Sequence, residues 1–334
     1  MRKLTVILIM SIVFSLVITA ETPTELSTES LTKKRYDELF ALASQWRVGT
    51  AIESVDKAID DLVSYGDKTV KFMFLYSFDK YEGLKYRAIK SVLGKLRKES
   101  QELSQLITKK LLENLDDENE TVVRQSLVLL KDLRVPQGLE GAIKLLENPK
   151  FITTIIDYIA VMDYTEAIPE LEKLLTYQGE GRKDFVILKS AKALGKFGGS
   201  SDEFGGYGKL FALLDNSSPV VRVAGEEAII LVGEKVLEQV KSSFHEPHPE
   251  RVKAHLINIH CKISDCQDIN FIYKAVRDNK KLSMVLLRNI EIFYNKETDH
   301  VLKQLIDSEF EIVAKYAQRI LQANIFDEAK YNSR

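Results

Sequence analysis

The sequence predicts an all-α protein built as an array of stacked helical pairs, about nine of them between residues 35 and 325. Three observations favour this fold: similar segments recur at intervals of about 29 to 37 residues, apolar residues recur at helical spacing, and prolines lie between the predicted helices. The 16 glycines and 7 prolines together form a much smaller share of the 334 residues than the roughly 12% that average usage would give. Collagen-like and low-complexity classes are therefore excluded.

The recurrence is clearest in two segments that align without gaps, LDDENETVVR at 115–124 and LLDNSSPVVR at 213–222. In each, an apolar helix ends near an Asp, and a second helix opens with Val-Val-Arg, whose Arg lies seven residues after that Asp. Two further segments, 86–96 and 189–197, supply the helix that follows such an opening, and both close on Leu-Gly-Lys. A repeat of one helical pair is therefore predicted.

These residues resemble HEAT repeats, particularly the short bacterial kind also found in phycobilisome-lyase-like proteins. The resemblance implies a right-handed α-α superhelix in which the second helix of each pair, helix B, lines the concave side. The position of the Arg serves as an anchor for each unit, and we place the anchors at Arg87, Arg124, Thr153, Leu188, Arg222, Lys253, Ser283 and Val313. Lyase activity is not implied, because only repeat residues carry the resemblance.

Helical spacing and proline positions support the assignment. Leu103, Leu106, Ile107 and Leu111 recur at steps of one, three and four residues, as one face of a helix requires. The six prolines beyond residue 34 are all placed at joints or first turns, where the missing N–H is tolerated: Pro136, Pro149, Pro169, Pro219, Pro247 and Pro249. The aromatic segment 71–78 looks strand-like, but its place in the array predicts a helix.

The N-terminus has the pattern of an export signal. Arg2 and Lys3 precede an apolar run from Leu4 to Val17, which predicts a signal peptide over residues 1–20 with cleavage after Ala20. An uncleaved membrane anchor and a buried core helix are the alternatives. Residues 21–34 are predicted to form a flexible leader and residues 326–334 a C-terminal tail. We expect a secreted, periplasmic or otherwise extracytoplasmic protein that meets a membrane only if this segment is retained.

Charge and motifs exclude several functions. The formal net charge is −2, and loss of residues 1–20 would make it more negative, so nucleic acid is not an expected partner. No phosphate-binding loop or nucleophile elbow is present in the sequence. The sequence predicts no cofactor and no enzymatic activity.

Three charged residues are the candidate binding residues on the concave face. Asp157, Lys192 and Glu226 each lie four residues after an anchor, so they occupy equivalent positions on neighbouring B helices. One interpretation is a polar groove that meets a charged partner. The alternative is a ladder of ion pairs between repeats that fixes their stacking and contributes only tenths of a kcal/mol per exposed pair.

Two Asp–Arg pairs are predicted to be structural. Asp117 with Arg124, and Asp215 with Arg222, match the Asp and Arg that stitch turns together in HEAT units. This role is implied by the resemblance. It gives these four residues no part in ligand binding.

The histidines and cysteines raise the question of a metal site. His245, His248, His255 and His260 precede Cys261 and Cys266, but the spacing matches no recognised zinc pattern, so no metal is predicted. In an oxidising compartment Cys261 and Cys266 could form a disulfide, and two buried free thiols are the alternative.

The sequence therefore predicts an exported, non-catalytic scaffold whose concave face binds another protein or a peptide. The alternatives are a metal-dependent enzyme or metal-binding protein on the same scaffold and a membrane-anchored structural component of the envelope.

Overall fold

A computed structural model describes residues 31–79, 82–179, 182–200 and 207–331. The predicted signal peptide, most of the predicted leader and residues 332–334 lie outside this range. The chain divides into two compact units, residues 1–107 and 108–334. Every regular element in the described residues is helical, and this confirms the predicted all-α class.

The described residues of the first unit hold four complete helices and the start of a fifth: α1 Lys33–Ala43, α2 Ala51–Ser64, α3 Asp67–Tyr76, α4 Gly83–Glu99 and α5 Gln101–Glu113. Helix α3 covers most of the strand-like segment 71–78, as its place in the array predicts. Val70 and Met73 on α3 are fully buried, and Phe72 stacks on Tyr36 with ring centroids 5.6 Å apart. Tertiary packing therefore overrides the local β-propensity.

The second unit continues with shorter first helices and longer second helices: α6 Glu120–Asp132, α7 Leu139–Lys144, α8 Ile152–Val161, α9 Ile168–Leu174, α10 Lys183–Ser200, α11 Tyr207–Ala212, α12 Pro219–Val232, α13 Leu237–Phe244, α14 Glu250–Ser264, α15 Asn270–Val276, α16 Lys280–Ile292, α17 Lys296–Ile306 and α18 Glu311–Tyr331. The even-numbered helices from α4 onward are the B helices. All eight anchors lie in the first two turns of a B helix, which confirms the repeat register.

Within the second unit each B helix packs against the B helix of the next pair, from α6 through to α18. Each odd-numbered helix from α7 onward packs against the B helix that follows it. A row of fully buried aliphatic side chains joins the pairs, among them Leu130, Ile159, Leu194, Ile229, Leu256 and Leu286. Burial of each such side chain contributes roughly 1.5–3 kcal/mol, so the stack itself is the core.

The six prolines lie where the missing N–H costs nothing. Pro219 opens α12 and Pro169 is the second residue of α9, while Pro136 opens a 3₁₀ turn. Pro149, Pro247 and Pro249 lie in joints between helices. The predicted placement is confirmed.

Two predicted boundaries require correction. Helix α1 begins at Lys33 rather than after residue 34, because the Thr32 side chain accepts a hydrogen bond from the Arg35 N–H at 3.2 Å and caps the helix. At the other end, α18 runs on to Tyr331 through the segment predicted as a tail. No glycine or proline lies between Glu311 and Tyr331 to end it.

Candidate functional site

The B helices of the second unit form the walls of an open groove of about 600 Å³. This volume is in the range of ligand-binding clefts. The groove is lined by residues of α6 and the turn after it, of α8 and the turn after it, of α10 and of α12: Lys131, Arg134, Ile156, Asp157, Ala160, Val161, Asp163, Lys189, Lys192, Ala193, Lys196 and Leu231. Two of the three predicted binding residues, Asp157 and Lys192, lie in it.

Ion pairs between α8 and α10 occupy both carboxylates of the groove. Lys189 binds Asp157, and Lys196 binds Asp163. Lys196 also donates to the Ala160 carbonyl at 2.9 Å. These contacts join neighbouring repeats through the wall of the groove.

The side chains of Lys192 and Arg134 are exposed, and neither side chain has a hydrogen-bonding or ionic partner in the described part of the chain. Lys131 lies 3.6 Å from the carboxylate of its sequence neighbour Asp132. Five cationic side chains therefore face two carboxylates that are already paired. The groove carries an excess of positive charge that is available to a ligand.

Apolar side chains lie between these charges. Ile156 and Ala193 are buried in the floor, whereas Val161 is 39% exposed and Leu231 is 45% exposed. Water-exposed aliphatic groups beside unpaired cations form a surface that a ligand with both apolar and anionic groups can cover.

Glu226, the third predicted binding residue, is not in the groove. It lies on α12 with only 8% of its side chain exposed. His255 Nδ1 lies 2.6 Å from one carboxylate oxygen, and Asn258 donates to the same oxygen at 3.2 Å. Lys262 donates to the other oxygen at 2.8 Å. Burial alone would raise the pKa of Glu226, but hydrogen bonds from these three side chains outweigh it and lower the pKa.

The predicted ladder of Asp157, Lys192 and Glu226 is therefore wrong in its pairing. Asp157 pairs with Lys189, one turn before Lys192, and Glu226 pairs with residues of the following repeat. A polar ladder does exist further along, because Asn258 accepts a hydrogen bond from the buried Asn289 of α16 at 2.9 Å. It joins α12, α14 and α16.

The predicted pairing of Asp117 with Arg124 and of Asp215 with Arg222 also requires correction. Asp117 accepts from the Asn119 N–H at 2.7 Å within its own turn, and Arg124 lies 6.0 Å from the centre of the Phe151 ring. The contact of Asp117 stays within its own turn, and the contact of Arg124 reaches Phe151 just before α8. The Asp and Arg are both engaged, but not with each other.

In the second case, Arg222 donates to the carbonyls of Asn216 and Ser217 at 2.8 and 2.9 Å. Asp215 binds Arg251 of the following repeat through two hydrogen bonds at 2.6 and 2.9 Å. Both Arg251 donors share the single oxygen Oδ1 of Asp215, and this charge-assisted contact joins two repeats. The four residues have structural roles, with different partners from those predicted.

Cys261 and Cys266 are free thiols, and both are fully buried. Their side chains form a hydrogen bond, and this contact together with burial raises the pKa of the Cys261 thiol. The Cys266 N–H also donates to the Cys261 carbonyl at 3.1 Å where α14 ends. The two thiols are neighbours, and a disulfide between them stays a prediction.

The histidines of this region have separate partners. His255 contacts Glu226, His248 lies 3.1 Å from Glu246, and His260 donates through Nε2 to the Gln267 carbonyl at 2.9 Å. Among the described residues, no three or more His, Cys, Asp or Glu side chains are grouped so that they could hold a metal ion.

A search of the described residues for a helix that is long and apolar enough to cross the bilayer finds none.

Sequence reasoning missed Arg134, Lys189, Lys196 and the two exposed aliphatic residues of the groove. A signal for the lysines is present, because Lys189, Lys192 and Lys196 recur at steps of three and four on one face of α10. No comparable signal exists for Arg134, which lies in the turn after α6. Its position in the groove depends on the path of the chain there.

Comparisons with known proteins give no family. No family model matches the sequence, and no curated protein matches it significantly. An engineered protein of the Northeast Structural Genomics Consortium is similar to this chain with a TM-score of 0.43 and 16% identity, over 89% of this chain and 96% of that one. A second engineered protein from that consortium has a TM-score of 0.27 and 16% identity, over 85% and 95%. A designed armadillo repeat protein has a TM-score of 0.25 and 14% identity, over 86% and 98%.

Proposed function

We propose that this protein is an exported, non-catalytic scaffold that binds a segment of another protein in the groove of its second unit. The observation that carries this proposal is the presence, in one open groove, of exposed aliphatic side chains and of cations without partners. Exposed aliphatic side chains are unfavourable in contact with water, and a bound partner would remove that contact. A bound chain would bury Val161 and Leu231 and supply partners to Lys192 and Arg134.

The side chains of the groove favour binding over catalysis. Its described lining consists of lysine, arginine, aspartate and aliphatic residues, with no histidine, cysteine, serine or threonine among them. Nucleophilic and general-base chemistry usually draws on those missing residue types. In addition, both aspartates are already engaged in ion pairs with lysines of α10.

The walls of the groove are suited to a scaffold. They consist of B helices that pack on one another and are fastened by the contacts of Lys189 and Lys196. A rigid wall loses little conformational entropy when a ligand binds, which improves the affinity obtained from a given contact area.

Export is the part of the proposal that depends on the N-terminal sequence alone. The charged residues Arg2 and Lys3 and the apolar run after them support a signal peptide. N-terminal sequencing of the native protein tests this directly. A chain that begins at Glu21 would establish cleavage, and an intact Met1 on a membrane-bound chain would favour the anchored alternative.

Site-specific photo-crosslinking in the cells that make the protein tests the binding function. We expect a photoreactive residue at Leu231 or Val161 to give one discrete adduct that contains a second polypeptide. The matched control is the same residue at Glu238 on α13, where the side chain is 87% exposed and does not line the groove. Equal adducts from Glu238, or none from either groove position, would contradict the proposal.

A further inference from the structure

We infer that the groove selects an acidic peptide segment, with two or more carboxylates placed around an apolar side chain. The inference rests on the function proposed above and names the chemistry of the partner. It follows from the charge balance of the groove, from its apolar strip and from the backbone at Arg134.

The positive charge of the groove is local. The whole chain has a formal net charge of −2, yet the groove holds five cations and two aspartates. Because Lys189 and Lys196 already pair with those aspartates and Lys131 lies 3.6 Å from Asp132, the charge without a partner in the described residues lies on Arg134 and Lys192. A ligand that brings carboxylates to this surface gains favourable electrostatic interactions without displacing an existing pair.

Arg134 is held in an unusual backbone conformation. Its φ is 52°, in the left-handed region where glycine is the usual residue and other L-residues are strained. The turn is fixed by hydrogen bonds from the Arg134 N–H to Lys131 and from the Val135 N–H to Leu130, at 3.1 and 2.9 Å. Glycine would suit this turn better, so the arginine side chain does not serve the turn itself.

The apolar strip distinguishes a peptide from other anionic ligands. Val161 and Leu231 offer aliphatic contact beside the cations, and this suits a Leu, Val or Phe side chain. Nucleic-acid grooves of the sequence-independent type combine backbone cations with stacking aromatic residues. The described lining holds no aromatic side chain, and the net negative charge of the chain opposes a long polyanion.

Selection from a randomised peptide library on the purified full-length chain tests the inference. We expect the selected peptides to be enriched in Asp and Glu flanking one apolar residue. The acidic peptide is then compared with its Glu→Gln and Asp→Asn counterpart by fluorescence anisotropy. We expect the neutral peptide to bind about 10-fold more weakly or worse, and the acidic peptide to lose affinity as salt rises.

Variants of the chain locate the binding. The double variant Arg134→Ala with Lys192→Ala should weaken binding of the acidic peptide by about 5- to 10-fold, as expected for the loss of two partly screened charge pairs. Lys173→Ala is the matched control, since Lys173 is an exposed lysine on α9 that does not line the groove. It should leave the affinity unchanged, and circular dichroism confirms that each variant is folded.

The outcomes separate this inference from the proposed function. Peptides that bind in the groove without carboxylate enrichment would overturn the acidic preference and leave the binding function intact. Absence of any selected peptide whose binding responds to the double variant would count against both. A single-stranded oligonucleotide that binds more tightly than the peptides, with sensitivity to the same variant, would overturn the choice of a peptide ligand.

Discussion

Lys192 and Glu226 occupy the same position in two successive repeats, yet one is open to solvent and the other is buried and fully paired. Each lies four residues after its anchor on a B helix. Beside Glu226, the next B helix supplies His255, Asn258 and Lys262, whereas no described side chain pairs with Lys192. The comparison teaches that the neighbouring repeat decides whether a position is buried in the stack or left open to solvent.

The largest expected effect comes from Glu226→Ala. This change removes three hydrogen bonds and leaves the His255 and Lys262 side chains without their acceptor, so the free energy of unfolding should fall by about 3 kcal/mol. Hydrogen exchange of α12 and α14 is the appropriate measurement, because the single tryptophan, Trp46, lies in the first unit.

Glu227→Gln is the matched control, since this neighbouring side chain is exposed. Lys192→Ala should likewise leave protection of the stack unchanged. If Glu226→Ala and Lys192→Ala both left hydrogen-exchange protection unchanged, the proposed contrast between the two positions would be contradicted.

A smaller loss is expected from Gly195→Ala on α10. A Cβ at this position would lie 2.7 Å from the Ala228 Cα of α12, and backbone atoms cannot move aside as a flexible side chain can. We expect the two helices to separate at a cost of about 2 kcal/mol, measured as a lower midpoint of thermal unfolding by circular dichroism.

The control for this change is Gly208→Ala on α11. A Cβ there meets nothing within 4 Å, and alanine has the higher helix propensity, so the midpoint should hold or rise. An equal loss from both substitutions would show that the close approach of α10 and α12 is not what requires glycine.

Acid should destabilise the second unit in two stages. Burial lowers the pKa of His260 below its ordinary value of 6.5, and Lys241 adds to this shift, while the Gln267 carbonyl and Asp268 oppose it. Its Nδ1 is buried and has no hydrogen-bond partner in the described residues. A proton added to Nδ1 would therefore find no acceptor to donate a hydrogen bond to. The unfolded chain therefore binds this proton first, and stability falls as pH drops below about 6.5.

The second stage involves Glu226, whose pKa is lowered from 4.5. Its contribution is complete above pH 4.5 and is lost as pH falls through the lower folded pKa. Thermal midpoints measured from pH 7.5 to well below pH 4.5 follow both stages. His260→Gln should flatten the first stage, whereas His300→Gln, at an exposed position on α17, should not.

The smallest effect is expected from Arg134→Gly, and its sign is opposite. Glycine adopts the φ of 52° without strain, so the free energy of unfolding should rise by about 0.5–1 kcal/mol. Arg134→Ala removes the same charge but keeps the strained backbone, and it should give no gain. Both variants should weaken binding of the acidic peptide, because both remove the guanidinium from the groove.

The repeat register could be predicted from sequence because it depends on local patterns. Val-Val-Arg and Leu-Gly-Lys mark the two ends of B helices, and the eight anchors placed from these motifs and from the repeat spacing all lie in the first two turns of a B helix. The partners of individual side chains could not be predicted in this way. Asp215 binds Arg251 rather than Arg222, because the sequence spacing does not distinguish a partner in the same repeat from one in the following repeat.

The sequence by itself determined the helical class, the repeat length and the positions of the joints, because apolar periodicity and proline act through local backbone geometry. Only the tertiary structure decided that Asp157 and Lys192 share a groove, that Glu226 is buried beyond it, and that Arg134 reaches the same surface. Those outcomes depend on how closely each B helix approaches the next one. That distance is fixed by packing between residues about 30 positions apart, which no local pattern encodes.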